Sequence, residues 1–239
     1  MKRLLSILLL AGAILLSGSL NAATVRPSGR IETELRQVKN FSGVVVSSGI
    51  NLYISQSPVQ EVKVKTDANI IGYVETTVKN GVLTIGFKNN FRTRGKFDVA
   101  VYISMSELNS IMASSGSDVK AKAGFKGKKL TITASSAANI KAIVEYDNVD
   151  ITCSSGADVH LKGKAGHCNA VCSSGADINT RELICLRANA VASSGADINI
   201  YASESFNGSA ASGADITYYG APKEVNKSAS SGGSIRAGK

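Results

Sequence analysis

Tryptophan is absent from this chain, histidine occurs twice, proline three times, and aromatic residues make up 5% of its 239 positions. These shortages leave little material for a platform that stacks sugars or bases, or for a histidine-rich metal centre, so no nucleic-acid partner is expected. The longest apolar run, Leu4 to Leu16, falls short of the roughly 20 residues a spanning helix needs, so no transmembrane anchor is expected either. There is no phosphate loop, no dinucleotide fingerprint and no nucleophile elbow around the many serines. Catalysis is therefore not expected, and no catalytic or cofactor-binding residue is assigned.

What is present begins with an export signal. Lys2 and Arg3 precede the apolar run, and Ser17-Gly18-Ser19-Leu20-Asn21-Ala22-Ala23 follows it, the layout of a secretory signal peptide over 1–23 cleaved after Ala22 or Ala23. Ser19 stands where a lipoprotein signal needs cysteine, so no lipid anchor is expected. Without Lys2 and Arg3, the remaining 25 basic residues exceed the 18 acidic ones by seven. A soluble basic surface accounts for that excess, and attraction to an anionic glycan or lipopolysaccharide is the sharper reading.

After a polar lead-in over 24–37, Val44/Val46, Leu52/Ile54, Val62/Val64, Leu83/Ile85 and Val99/Val101/Ile103 alternate with polar neighbours at period two, the mark of strands with one buried face. No segment has helical periodicity. Asn80-Gly81 between Val78 and Val82 predicts a two-residue hairpin. The basic segment Asn89 to Lys96 reads as a mobile loop.

From Ile111 onward one phrase, typically Ser-Ser-Gly-Ala-Asp-Ile, returns seven times, with its third position at Gly116, Ala137, Gly156, Gly175, Gly195, Gly213 and Gly232. The intervals are 21, 19, 19, 20, 18 and 19 residues. Spacing this regular, with strand-type residues between, indicates a solenoid of β-coils. Aligned coils show columns of like character. Three residues after the glycine position run Val119, Ile140, Val159, Ile178, Ile198, Ile216 and Ile235, an interior column. Five before it, Ile111, Ile132 and Ile151 give way to Ala170, Ala190, Gly208 and Lys227, so the interior is expected to narrow toward the C-terminus. Six before it, Asp150, Asn169, Asn189, Asn207 and Asn226 suit a ladder of side-chain hydrogen bonds.

Two columns carry candidate chemistry. Asp158, Asp177, Asp197 and Asp215, each two residues after a glycine, read either as acceptors for turn N–H groups or as a line of oxygen ligands for Ca²⁺. Of the four cysteines, Cys153 and Cys172 share a column; they are either small buried fillers or a disulfide pair. His160, His167, Cys168 and Cys172 have no recognised zinc spacing.

Phe41-Ser42-Gly43, Val46-Ser47-Ser48-Gly49-Ile50-Asn51-Leu52-Tyr53-Ile54, Val82-Leu83-Thr84-Ile85 and Leu108 to Met112 together resemble the bacterial auto-transporter adhesin head-domain family, called after its Gly-Ile-Asn motif. The likeness runs from about Val38 to about Ala237. It implies a right-handed parallel β-helix in an exported or envelope protein of diderm bacteria, and it brings no catalytic residues. No translocator barrel follows Lys239, so self-export is not expected.

The expected fold is all-β: a right-handed parallel β-helix, one domain over 38–239, with strands and a lid over 38–107 and about seven regular coils of roughly 19 residues over 108–239. The expected role is a non-catalytic binding or structural module in the periplasm or on the cell surface, with an anionic glycan or another cell-surface ligand as partner. A glycan-active lyase or hydrolase and a calcium-stabilised scaffold are the alternatives. The open C-terminal coil exposes unpaired backbone groups, so homo-oligomers through the solenoid ends are also expected.

Overall fold

A computed structural model describes residues 24–239; the expected signal peptide lies outside the described residues. The chain opens with β1 (Thr24–Val25), β2 (Ile31–Arg36), β3 (Gly43–Val46), β4 (Asn51–Gln56) and β5 (Glu61–Asp67). A single 3-10 turn, Ile71–Tyr73, precedes β6 (Val74–Lys79), β7 (Val82–Phe87), β8 (Arg92–Thr93), β9 (Ala100–Met105) and β10 (Ser110–Ala113). Four long bent strands follow: β11 (Asp118–Ala134), β12 (Asn139–Cys153), β13 (Asp158–Ser173) and β14 (Asp177–Ser193). The last coils are split into β15 (Asp197–Tyr201), β16 (Ser205–Ala211), β17 (Asp215–Tyr219), β18 (Glu224–Ala229) and β19 (Ser234–Ala237).

Parallel pairing stacks these strands into the expected right-handed β-helix. One side of every coil, here the first side, is built from β9, β4, the opening residues of β11 to β14, then β15, β17 and β19. The second side is built from β7, β3, β10, the closing residues of β11 to β14, then β16 and β18. The Ser-Ser-Gly phrase turns the chain from the second side to the first. At that corner the second serine and the glycine both adopt left-handed backbone, as in Ser155 (φ 55°) and Gly156 (φ 65°). The N–H of each glycine position from Gly116 to Gly213 donates to the carbonyl of the second serine one coil on, at 2.9 Å for Gly116 to Ser136 and 3.1 Å for Gly175 to Ser194. The corner is thus a hydrogen-bonded ladder in its own right.

Ser47-Ser48-Gly49 makes the same turn, with Gly49 N–H donating to Ser115 at 2.9 Å. The coil of β3 and β4 therefore precedes the seven expected ones. Below it lies a further coil of β7 and β9, in which residues 88–99 replace the tight corner. Antiparallel β6 on β7, and β5 then β2 beside β9, close this end. The Asn80-Gly81 hairpin joins β6 and β7 with both residues at positive φ, as its sequence requires. Edge strand β2 sets Glu32, Glu34 and Arg36 opposite Thr66, Val64 and Val62, placing charge where a continuing core would need apolar side chains.

The interior column Leu52, Val119, Ile140, Val159, Ile178, Ile198 and Ile216 is buried throughout, each member contributing about 1.5–3 kcal/mol by its removal from water. The asparagine ladder forms: Asn169 donates to Asp150 at 2.8 Å, Asn189 to Asn169 at 2.8 Å, Asn207 to Asn189 at 3.0 Å and Asn226 to Asn207 at 3.0 Å. Two expectations need correcting. The interior does not narrow at Gly208, because the Phe206 ring occupies the space a side chain there would fill and stacks on Tyr218 at 4.5 Å. The basic segment Asn89 to Lys96 is anchored rather than loose: β8 pairs with β1, and Phe91 stacks on Phe87 at 4.4 Å with Phe97 edge-on at 5.8 Å.

Candidate functional site

Because Leu52/Ile54 and Val101/Ile103 point inward, the residues between them, Tyr53 and Tyr102, must point out on the first side. They are register partners, and their rings stack 5.1 Å apart at 15°. The next coils continue the column with Lys120, Lys141, His160 and Asn179. Lys120 Nζ lies 5.8 Å from the centre of the Tyr53 ring, within reach of a cation–π attraction. Two residues further along the strands, Ser104 and Ser55 are register partners, and Lys122 of the next coil lies in a bulge between Ala121 and Gly124 that shifts the register.

Between these rows lies a depression of about 450 Å³ floored by Tyr53, Tyr102 and Ser104 and walled by Lys63, Lys120 and Lys122. A second one, of about 470 Å³, shares Lys120 and Lys122 and extends past Lys141 and Ile143 to His160 and Lys162. Together they make one open basic groove along the solenoid axis. Lys63 pairs with Glu61, and Lys162 with Glu182 at 2.9 Å, which lowers the Glu182 pKa. No carboxylate among the described residues pairs with Lys120, Lys122 or Lys141. The groove therefore offers the stacked tyrosine pair, serine hydroxyls and ammonium groups without a carboxylate partner. Among the described residues Glu61 is the one carboxylate that lines the first depression, so no carboxylate pair of the kind used in glycoside hydrolysis lines it.

The aspartate column sits beside the groove. Asp158, Asp177, Asp197 and Asp215 are consecutive register partners. Among the described residues no turn N–H or serine hydroxyl donates to them; they already belong to the strand and project outward, while the backbone ladder closes the turn. Burial raises the pKa of Asp177, and Asp197 and Asp158 raise it further. The described residues contain no cluster of His, Cys, Asp and Glu converging on a metal position.

Cys153 and Cys172 are also register partners, both buried with free thiols. Their Sγ atoms donate to the carbonyls of Ala157 at 3.1 Å and Ala176 at 3.0 Å. The hydrogen bond with Cys153, then burial, holds the Cys172 thiol well above its ordinary pKa, and Cys185 and burial do the same for Cys168. The repeating glycines Gly116, Gly156, Gly175, Gly195, Gly213 and Gly232 all lie at the corner with positive φ.

The sequence did not single out the tyrosine pair, although the period-two pattern around each was visible. Its members are 49 positions apart and meet only because the β7/β9 coil stacks beneath β3/β4.

These features define a β-helical solenoid that displays a basic, aromatic-floored groove. Residues 40–222 match the family described as "Putative auto-transporter adhesin, head GIN domain", and the chain belongs to that family. Among solved structures it is similar to a "putative adhesin" from Bacteroides fragilis NCTC 9343, with a TM-score of 0.83 and 22% identity over 89% of this chain and 99% of that one. It is also similar to a "putative adhesin" from Parabacteroides merdae ATCC 43184, with a TM-score of 0.73 and 18% identity over 90% of this chain and 99% of that one. A "putative lipid binding protein" from Parabacteroides distasonis ATCC 8503 aligns with a TM-score of 0.72 and 18% identity over 91% of this chain and 100% of that one. At these identities the likeness is one of fold. No curated protein matches at a significant level.

Proposed function

We propose that this chain is a non-catalytic binding module, exported to the periplasm or the cell surface, that holds an anionic glycan in the groove of Tyr53, Tyr102, Lys120, Lys122 and Lys141. The observation that carries this reading is the stacked tyrosine pair set directly beside lysines that have no carboxylate partner. A sugar ring packs against the outer surface of the stacked pair, and its carboxylate, sulfate or phosphate meets the ammonium groups. Aromatic faces alone hold neutral sugars, and lysines alone hold any polyanion; the combination selects a charged saccharide. The Leu4 to Leu16 segment with its flanking Lys2 and Arg3 supports export, as does membership of an adhesin head-domain family.

The test is binding of the purified chain to polygalacturonate, lipopolysaccharide and neutral dextran. The first or second should bind with an affinity that falls as salt rises, and dextran should not. Tyr102→Ala and the pair Lys120→Ala/Lys122→Ala should each weaken binding at least tenfold with an unchanged melting temperature. Equal binding to dextran, or loss of binding in neither variant, would refute the reading. Release of reducing ends or unsaturated uronates on incubation would show an enzyme instead.

A further inference from the structure

The second side of the solenoid is unlike the rest of the surface. Each of its nine coils presents three outward positions, of which only Asp150 is charged, and Lys227 adds an exposed ammonium at the last coil. Even that carboxylate is neutralised, by Lys129 at 2.9 Å and the Asn169 amide at 2.8 Å. One outward column reads Met112, Thr133, Thr152, Val171, Val191 and Ser209, and in it Met112, Val171 and Val191 are each 46% exposed. Its neighbours are the asparagine ladder and a row of serines. Lys129, His167 and Arg187 gather along the adjoining corner as a polar rim.

We propose that two copies of this chain pack face to face through this side. The argument is electrostatic and geometric, and it is independent of the ligand groove. The protein is strongly basic, and its first side carries Lys120, Lys122, Lys141 and Lys162, so two copies meeting there repel. The second side is the broad surface on which a copy meets itself with the fewest opposing charges: only the rim sets Lys129 against Arg187 of the second copy, and each has its own carboxylate partner, Asp150 and Glu204. It is also flat, since the side-chain ladder holds the rows in register, and flat sheets stack about 10 Å apart.

With a two-fold between β12 and β13, eight of these strands overlap; at about 4.8 Å spacing, each offering about five residues of 3.3 Å, they cover roughly 38 by 15 Å. That is about 570 Å² per copy and about 1,100 Å² in the pair, above the roughly 1,000 Å² that a specific interface should clear. A two-fold axis running along the strands between β12 and β13 makes the contact isologous and closed. It sets Thr152 against Val171 of the second copy and Asp150 against Asn169 of the second copy, so Asp150 does not meet its own twin.

Sedimentation of the purified chain at about 50 μM should give the mass of two chains. Val171→Lys and Val191→Lys, both at exposed positions, should keep the melting temperature of the parent while weakening the dimer at least tenfold. Arg236→Pro, on the open edge of β19 and outside this face, should leave the dimer intact. A parent chain that sediments as one copy overturns the proposal. So does a dimer that survives both lysine variants, because its contact then lies elsewhere, and dissociation by Arg236→Pro alone would locate that contact at the solenoid end. If excess polygalacturonate leaves the dimer mass unchanged apart from bound ligand, the groove and the interface are separate surfaces, as proposed; dissociation by it would overturn that separation.

Discussion

Ala137 is the one corner residue of the regular coils that stands where its counterparts are glycine, and it adopts the same left-handed backbone, φ 59°, as they do. A side chain in that region costs about 1–2 kcal/mol through contact between Cβ and the following carbonyl. Glycine relieves this but gains freedom in the unfolded chain, which takes back about 0.5–1 kcal/mol. No atom lies within 4 Å of where a Cβ would sit at the equivalent Gly116, Gly156 and Gly175. The corner is therefore open, and Ala137→Gly removes strain without leaving a cavity. The net expectation is a stabilisation of about 0.5–1 kcal/mol. Gly156→Ala is the mirror experiment and should destabilise by a similar amount. Urea unfolding followed by far-ultraviolet circular dichroism reads both, provided the slope of free energy against urea stays constant. If Ala137→Gly is neutral or destabilising while Gly156→Ala is tolerated, the left-handed corner is not a source of strain.

Ile178→Ala and Ile198→Ala, at 0% and 1% exposure, should each cost about 2–5 kcal/mol in the same assay, and the double variant should depart from additivity because the two side chains are register partners; losses under about 0.5 kcal/mol in both would sink the stacking register. Burial, then Asp197 and Asp158, hold the folded pKa of Asp177 above its ordinary value, so its contribution is whole below the usual carboxylate range and is lost as pH rises through the raised folded value. Asp177→Asn should accordingly raise the melting temperature at pH 7 and leave it unchanged near pH 3; an equal gain at both would show that charge is not the cause. Millimolar Ca²⁺ should leave the melting temperature where it is, since a single column of carboxylates does not enclose an ion with six or more oxygens. A clear rise, abolished in Asp177→Asn/Asp197→Asn, would make the column a metal site.

The regular coils were legible because each closes within about 19 residues, so stacking partners recur at that interval and columns such as Val119 to Ile216 can be read off the sequence. Ser47-Ser48-Gly49 carries the same phrase but escapes that test, since Gly116 is its next partner and an excursion through β5 to β9 intervenes. The excursion also hides the candidate site. Tyr53 and Tyr102 belong to coils whose order along the chain is the reverse of their order in space. Compensation by Phe206 for Gly208 was equally out of view, because it couples two interior columns rather than members of one. The place of the aspartates after glycine suits a turn acceptor or a Ca²⁺ ligand alike, and the sequence does not show that the corner is already closed by backbone bonds between coils.

That reversed order has a bearing on how the molecule is assembled. After β1 and β2 the chain lays down β3 and β4, doubles back through β5 and β6 to build β7 and β9 beneath them, and only then starts upward with β10. By Met105 the closed end is complete, and it presents one ready edge made of β3 and β4. Each later coil arrives at a finished template and adds about 19 residues of contact to its predecessor alone, so growth has a single direction, the one in which a ribosome delivers the polypeptide. Breathing should run the other way, with amide exchange fastest in β18 and β19 and slowest in the coil that was covered on both faces first.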